Sequence, residues 1–479
     1  MKWHGALPAL TDKQVWVAGY GRAGKSVITA LQRLGAQVVL IDESQTGAPA
    51  EIRTMSTIPK EVDADLIVTS PGWRPTHGLF EVAARSGVKV IGDVELAWLA
   101  DQARAKREQR FAPRWLAVTG TNGKTTTISM LEGMLIAGGL RAVACGNVGL
   151  PVIDAVMADD PYDALAVELS SFQIHWSQSL KPFATALLNI AEDHLDWHGS
   201  FAEYAKTKVQ LLARSGYAIY NADDENTIAA LAGVSTGERI SFTLDTPRPG
   251  QLGVVEELLV DRAFVENPKL EAGPMATLAE IKPFAPHNVA NALAAAALAR
   301  AAGVSLDAIS RGLHNFESGG HRITQIACID HVDYIDDSKA TNPHAASASL
   351  RVFSSIVWIA GGLAKGASME RLVVENAKRL RGVVLIGTDR ALIRAALERH
   401  VPDIPLVDVD VDVVARDLSK RDQAKMLMDR VVEAAAQIAS PGDTVLLAPA
   451  CASMDQFESY AERGDLFAQA VLKLVRVDL

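Results

Sequence analysis

The chain has 479 residues, 49% of them hydrophobic and 22% charged, with 35 glycines and 20 prolines; at roughly 150 residues each that is about three domains. Such a balance excludes a disordered, collagen-like or single small-domain protein. With 47 basic and 57 acidic side chains the formal charge is −10, which argues against life on nucleic-acid phosphates, so no nucleic-acid partner is expected.

Cys145, Cys328 and Cys451 stand far apart and in no ligand spacing. They read as free thiols of a reducing compartment, without a disulfide framework or a zinc site. The opening MKWHGALPALTDK has no signal-peptide apolar core, and no run reaches the ~18 apolar residues of a membrane span. The expectation is a cytoplasmic, multi-domain α/β protein with no membrane span.

Residues 14–42 read as strand, turn, helix, strand: QVWVAGY is apolar, SVITALQRLGA has helical spacing, and QVVLIDES is extended and β-branched. LIVTSPG and VKVIGDVE repeat the pattern of a short buried strand ending in turn residues. DQARAKREQRFAPR, residues 101–114, is polar and basic without apolar periodicity and is expected to be a linker or an exposed helix end. A second unit starts at WLAVTGTNGKTTTISMLEGMLIAGG, with RAVACGN, DALAVEL, FATALLNI and YAIYNADD as further strands. Residues 235–280 are turn-rich and show no clear element, whereas NVANALAAAALARAA is an alanine-rich helix. From about Phe316 a third unit begins, with SSIVWIAGG, RGVVLIGT and DTVLLAPA as strands.

Two glycine loops open the first two units. Gly19-Tyr20-Gly21-Arg22-Ala23-Gly24-Lys25-Ser26 matches the G-x-G-x-x-G dinucleotide fingerprint, with Asp42 ending the next strand, and also the literal G-x-x-x-x-G-K-S phosphate loop. Both patterns rest on backbone amides at a helix N-terminus. Thr119-Gly120-Thr121-Asn122-Gly123-Lys124-Thr125-Thr126 has Val118 where the strict pattern wants its first glycine. Its chemistry is nevertheless complete, with Lys124 for the β- and γ-phosphates and Thr125 to hold magnesium.

Ligands of open α/β sheets gather beyond the carboxyl ends of strands, and there the second unit carries this loop, Asn147, Glu168 and the segment from Asn189 to His194. Glu168 reads either as a Mg²⁺ ligand or as a capping or salt-bridged carboxylate. His194 reads as a metal or substrate contact or as a structural loop histidine, and Lys208 taken alone is a surface lysine. Together they predict a Mg-nucleotide site. An NAD-dependent oxidoreductase, motivated by Gly19–Gly24 and Asp42, leaves GTNGKTT, Glu168 and DDSKATN unexplained. A non-catalytic nucleotide-gated protein predicts ATP binding without turnover.

TGTNGKTT, GNVGLP, ELSSFQ, NIAEDHLD, PHNVANALAA, GGHR, DDSKATNPHA, AGGLAKG and PACASMDQFESYAERGDLF follow one another along the chain. In these blocks, over essentially its whole length, the chain resembles the Mur ligase family. GTNGKT is shared with folylpolyglutamate synthases, whereas DSKATN and PACAS-x-DQF are specific to the D-glutamate-adding branch. The resemblance implies three α/β domains: residues 1–107, Rossmann-like, for the UDP substrate; 108–317, a P-loop ATPase-like mixed sheet; and 318–479, Rossmann-like, for the amino acid. It implies a monomer that uses ATP to add D-glutamate to UDP-N-acetylmuramoyl-L-alanine through an acyl phosphate, releasing ADP and phosphate, in peptidoglycan precursor synthesis. Close alternatives are ligases of the same family that add another amino acid.

The same resemblance implies roles residue by residue. Gly120, Thr121, Asn122, Gly123, Lys124, Thr125 and Thr126 hold the ATP phosphates, Asn288 and Asn291 the adenine, and Arg322, Asp337 and Lys339 reach the nucleotide from the third domain. Lys124, His194 and Lys208 are the catalytic group. Two Mg²⁺ sites, which Mn²⁺ can also fill, draw on Thr125, Glu168, His194 and Lys208, the last as a carbamate formed with CO₂. Gly19, Gly21, Gly24, Asp42, Gly72, Asn147, Ser170 and His194 serve the UDP substrate; Thr341, Lys365, Ser453 and Tyr460 serve D-glutamate. Departures from the family pattern are Glu43 and Ser44 after Asp42, Tyr460 where a Phe is expected, and Lys25 in the first loop.

Overall fold

In the computed structural model, which describes residues 10–42, 53–55, 57–317, 319–410 and 418–477, each of the three α/β stretches carries its own sheet. The first is all parallel: β1 (Gln14–Ala18), β2 (Gln37–Ile41), β3 (Arg53–Met55), β4 (Leu66–Thr69) and β5 (Val90–Gly92) lie in the order β3-β2-β1-β4-β5. That is the doubly wound order of a Rossmann half, with α1 (Arg22–Arg33) and α2 (Gly78–Arg85) as crossovers and α3 (Asp93–Arg107) leading out of the last strand. Glu43 and Ser44 lie outside the described residues.

Of the two readings of 101–114, linker or exposed helix end, the structure shows the helix end: α3 runs to Arg107, and residues 106–109 are exposed. Asp101 is buried at 1% exposure and accepts the Trp115 indole N–H at 2.9 Å. Arg104 pairs locally with Glu108 and also donates to the distant carbonyls of Val156, Ala158 and Asp159. Apolar periodicity alone therefore left linker and helix end undecided.

The second sheet has nine strands: β6 (Arg114–Thr119), β7 (Ala142–Gly146), β8 (Ala164–Glu168), β9 (Ala184–Leu187), β10 (Tyr217–Asn221), β11 (Glu238–Phe242), β12 (Gln251–Val255), β13 (Leu258–Asp261) and β14 (Gly273–Thr277), in the order β14-β13-β12-β11-β10-β9-β6-β8-β7. The turn-rich stretch 235–280 is thus four strands, the last three antiparallel. Side chains alternate across a strand, and β6 shows the result. Leu116 and Val118 join a core with α4 (Lys124–Ala137) and the alanine-rich 286–301 helix, while Trp115 and Ala117 face a cluster that also contains Val15, Val17 and Leu31 of the first sheet. The first two sheets consequently share a core. Among the further helices are α5 (Val152–Val156), α6 (Ser171–His175), α7 (Leu195–His198), α8 (Phe201–Ala213), α9 (Glu225–Leu231), α10 (Pro286–Ala301) and α11 (Leu306–His314).

The third sheet contains β15 (Thr324–Ile329), β16 (Val332–Asp336), β17 (Ile356–Gly361), β18 (Leu380–Ile386), β19 (Leu406–Asp408) and β20 (Thr444–Leu447), ordered β15-β16-β20-β17-β18-β19 with only the first pair antiparallel. Trp358 and Ala360 pack on one face, Val357 and Ile359 on the other. The chain forms two compact units. One runs to Ile190 and resumes at Ala202–Phe316; the other comprises Ala191–Phe201 and the chain from Glu317. Among the described residues no helix is long and apolar enough to cross a membrane.

Candidate active site

In the first unit the carboxyl ends of β7, β8, β6 and β9 lie side by side, and the loop after β6 is the glycine loop 119–126. Gly120 (φ 153°) and Gly123 (φ 85°) take conformations that side-chain-bearing residues resist. A Cβ on Gly123 would stand 2.3 Å from Asn291 Oδ1. The loop is locked to β9 by a reciprocal amide pair: Asn122 N donates to Asn189 Oδ1 at 2.9 Å, and Asn189 Nδ2 to Asn122 O at 3.1 Å. Thr121 shares a 3.0 Å hydrogen bond with the Tyr204 hydroxyl. Gly123 caps α4, which has no acidic residue in its first turn; a helix N-terminus of this kind favours an anion.

Lys124 Nζ donates to the carbonyls of Gly120 (2.9 Å) and Thr121 (2.8 Å). Lys208, which reads as a surface lysine in isolation, is 1% exposed. Its Nζ donates to Gly120 O at 3.0 Å and to Thr119 Oγ1 at 3.4 Å, and lies 4.6 Å from the Tyr204 ring centroid.

Glu168, at the end of β8, is buried at 2% exposure. Asn147 Nδ2 donates to its Oε1 at 3.1 Å, while its Oε2 is buried with no hydrogen-bond partner among the described residues. A buried carboxylate oxygen left unsatisfied is costly, and a divalent cation is the partner that fits it. Thr125 follows Lys124 at the start of α4. On the other side of the loop, buried Asn291 donates to Asn288 Oδ1 at 3.3 Å, and Asn288 donates to Pro283 O at 3.0 Å. The loop, Asn147, Glu168, Lys208, Asn288 and Asn291 are thereby brought together. Ser170 caps α6 through a capping box with Gln173.

His194 belongs to the segment Ala191–Phe201, which groups with the second unit. Its φ is 55° and its Nε2 lies 3.6 Å from Asp193 Oδ2. In that unit Glu192, Asp193 and Leu195 line a narrow recess with Thr341, Asn342 and Lys365. Asp337 is buried, and loss of water pushes its carboxyl up to about 7, opposed by the Ser349 hydroxyl donating to it and reinforced by the Asp336 charge. The Lys339 ammonium sits 3.7 Å from the Tyr460 ring centroid, so the expected nucleotide and amino-acid contacts touch each other. Arg322 bears on Asp337 as a nearby positive charge, and Ser453 is buried at 4% exposure.

In the first sheet, Gly24 lets α1 close on β1: a Cβ there would lie 2.0 Å from Gly19 O. Gly19 (φ 95°) has no room for one beside Ser70, while Gly21 and Gly72 face open space. Asp42 Oδ2 accepts the Tyr20 N–H at 2.7 Å, and the Lys25 ammonium lies 5.0 Å from the Tyr20 ring centroid, which accounts for Lys25 as a brace of its own loop.

Sequence reasoning missed Arg463, which is fully buried and donates to Ser338 Oγ, Ser338 O and Cys451 O, tying the DDSKATN and PACAS blocks together. It also missed Tyr204 and the role of Asn189. The clustering of polar residues inside the quoted blocks hinted at Arg463 and Asn189; nothing in the sequence pointed to Tyr204.

A loop shaped for phosphates beside a carboxylate shaped for a cation is the equipment of an ATP-using enzyme. The family model described as the Mur ligase middle domain matches residues 118–299, and that described as the Mur ligase, glutamate ligase domain matches residues 321–451. Among curated relatives, the UDP-N-acetylmuramoylalanine–D-glutamate ligases of Thermobifida fusca and Streptomyces coelicolor are 51% and 52% identical; each alignment covers 97% of this chain and 99% and 98% of theirs. That of Mycolicibacterium smegmatis is 45% identical over 97% of each chain. The fold is shared with a pseudomurein peptide ligase type C from Methanothermus fervidus (TM-score 0.58, 17% identity, 97% of this chain and 100% of that one). It is also shared with a MurF ligase from Thermotoga maritima solved with ADP (TM-score 0.56, 18% identity, 97% and 96%). The chain belongs to the Mur ligase family and is an ATP-dependent ligase.

Proposed function

We propose that this enzyme adds D-glutamate to UDP-N-acetylmuramoyl-L-alanine, with ATP converted to ADP and phosphate. The observation that carries the ATP half is the unsatisfied buried oxygen of Glu168 at the same sheet edge as the glycine loop. The choice of D-glutamate is supported by the names of relatives that match the chain nearly end to end.

Residues 1–107 hold the UDP end, with Gly19, Gly21 and Gly24 at the diphosphate and Asp42 and Gly72 nearby. Residues 108–317 hold ATP, and 318–479 the amino acid. Backbone amides of the 120–126 loop and Lys124 hold the phosphates, and Asn288 and Asn291 the adenine; Arg322, Asp337 and Lys339 approach the nucleotide from the C-terminal unit. Asn147, Ser170 and His194 orient the acceptor so that its terminal carboxylate faces the γ-phosphate, forming an acyl phosphate. Lys124 stabilises the charge that spreads over the transferring group. Thr341, Lys365, Ser453 and Tyr460 hold D-glutamate, whose two carboxylates need cationic and hydroxyl partners. Its amine then attacks the acyl carbon and phosphate leaves.

Thr125 and Glu168 would hold one Mg²⁺, or Mn²⁺, and His194 and Lys208 would serve the other. When bound, these ions neutralise phosphate charge. Lys208 contributes as a carbamate made with CO₂; its burial beside the glycine loop supports this, and its remaining N–H still has Gly120 O to donate to. The direct test is product analysis. Incubation with ATP, UDP-N-acetylmuramoyl-L-alanine and a mixture of D-glutamate, L-alanine and diaminopimelate gives only the D-glutamyl product by mass; any other main product refutes the assignment.

A further inference from the structure

The segment Gly92-Asp93-Val94-Glu95, which closes β5 and opens α3 in the first sheet, has no part in the function described above. It nevertheless grips the second sheet at three points. Gly92 N donates to Trp176 O at 3.0 Å, and a Cβ at Gly92 would stand 2.7 Å from the Trp176 Cβ. Glu95, 1% exposed, accepts the Ser179 N–H with both carboxylate oxygens, at 2.9 and 3.1 Å. Asp93, 6% exposed, accepts Gln173 Nε2 at 3.3 Å.

The third contact has a direction. A carboxylate offers only acceptors, so it draws the NH₂ of the Gln173 amide toward itself and fixes the amide oxygen on the opposite side. That oxygen accepts both the Ser170 N–H at 3.1 Å and the Ser170 hydroxyl at 3.3 Å, and Ser170 Oγ in turn accepts the Gln173 N–H at 3.2 Å. The hydroxyl hydrogen of Ser170 is committed to Gln173, which leaves the oxygen to present a lone pair outward. The other oxygen of Asp93 is buried with no hydrogen-bond partner among the described residues.

We infer that Asp93 is a positioning residue for UDP-N-acetylmuramoyl-L-alanine: acting through Gln173, it sets the orientation of the Ser170 hydroxyl and so links the sheet that holds the UDP end to the residue that holds the muramoyl end. The inference rests on the reading of Ser170 as a substrate contact.

Steady-state kinetics of the full chain separate the two. Asp93→Leu keeps the branched shape and removes the acceptor, so the KM for UDP-N-acetylmuramoyl-L-alanine rises about tenfold while those for ATP and D-glutamate stay within about twofold. Asp93→Asn, which still offers a carbonyl acceptor to Gln173, rescues that KM. Should Asp93→Leu not fold, Gln173→Met breaks the same relay from its other side and shows the same selective rise. Ser170→Ala raises the same KM, and the Ser170→Ala/Asp93→Leu double variant is no worse than the worse single one. Additive effects, an equal rise in all three KM values, or a lowered melting temperature with unchanged KM overturns the inference. Ser170→Ala without effect sinks the Ser170 reading and the inference with it; Ser170→Ala with effect but Asp93→Leu without sinks the inference alone.

Discussion

The ammonium groups of Lys124 and Lys208 donate to one acceptor, the carbonyl oxygen of Gly120, at 2.9 and 3.0 Å. Two like charges so close repel each other in a buried setting, and the arrangement favours whatever anion comes to lie beside them. Phosphates of a nucleotide answer for Lys124. For Lys208, the proposed carbamate would remove the repulsion by turning the cation into an anion.

On that proposed role, Lys208→Ala loses at least about a hundredfold in kcat, because it removes an electrostatic group beside the transferring phosphoryl. Acetate or formate in the assay restores part of the activity by supplying the missing carboxylate. If Lys208→Ala is inactive at every concentration of short carboxylates, the carbamate role is wrong.

Gly123→Ala asks for a left-handed conformation with a Cβ and drives it toward Asn291 Oδ1, 2.3 Å away. The backbone strain alone costs roughly 1–2 kcal/mol, and Asn291 is displaced with Asn288 behind it. ATP affinity measured by calorimetric titration falls about tenfold or more. Unchanged affinity contradicts the placement of the phosphates at this loop.

Burial pushes Asp337 from its ordinary 3.8 up to about 7. Between these values the folded chain keeps a proton that the unfolded chain has released, so this group's contribution to stability falls as pH rises from about 4 to 7 and is level above that window. Asp337→Asn keeps a carbonyl for the Ser349 hydroxyl and removes the charge. Chemical denaturation at pH 5 and pH 8 shows the variant gaining on the wild type at the higher pH. Asp93, pushed up to about 6 in the same direction, is common to both proteins and cancels in the difference. A gain that is larger at pH 5 contradicts the shift.

Asp261, fully buried, pairs with Arg300 Nε at 2.8 Å, and Arg300 also donates to Phe264 O and Val304 O. This ties β13 to the end of α10, the helix that carries Asn288 and Asn291. Asp261→Ala leaves a guanidinium without its carboxylate and costs about 3–5 kcal/mol. Urea unfolding reads the loss; a change below about 1 kcal/mol, the range of an exposed pair, contradicts it.

Local patterns were enough to read the two glycine loops, the parallel strands feeding them and Glu168 at a strand end, because each follows from residue type and spacing within a short window. Three things were not legible. Lys208 is buried by Tyr204 and by a loop far back in the chain, and nothing in YAKTKVQLL distinguishes it from a surface lysine. The helix through Asp101 hides its amphipathic face behind charged residues whose partners lie about fifty positions away, as with Arg104 and Ala158. β12 and β13 are short strands joined through Glu256 at φ 54°, a turn that only the pairing reveals. Asp93 and Gln173 illustrate the same limit, since a hydrogen bond between helices eighty positions apart leaves no periodicity behind.

The central claim is a D-glutamate-dependent ligation driven by ATP, and coupled measurement of ADP release with UDP-N-acetylmuramoyl-L-alanine tests it most directly. Release that is slow without D-glutamate, rises to full turnover when D-glutamate is added, and does not respond to L-alanine or diaminopimelate is the predicted result. Release independent of D-glutamate, or supported by another amino acid instead, contradicts it.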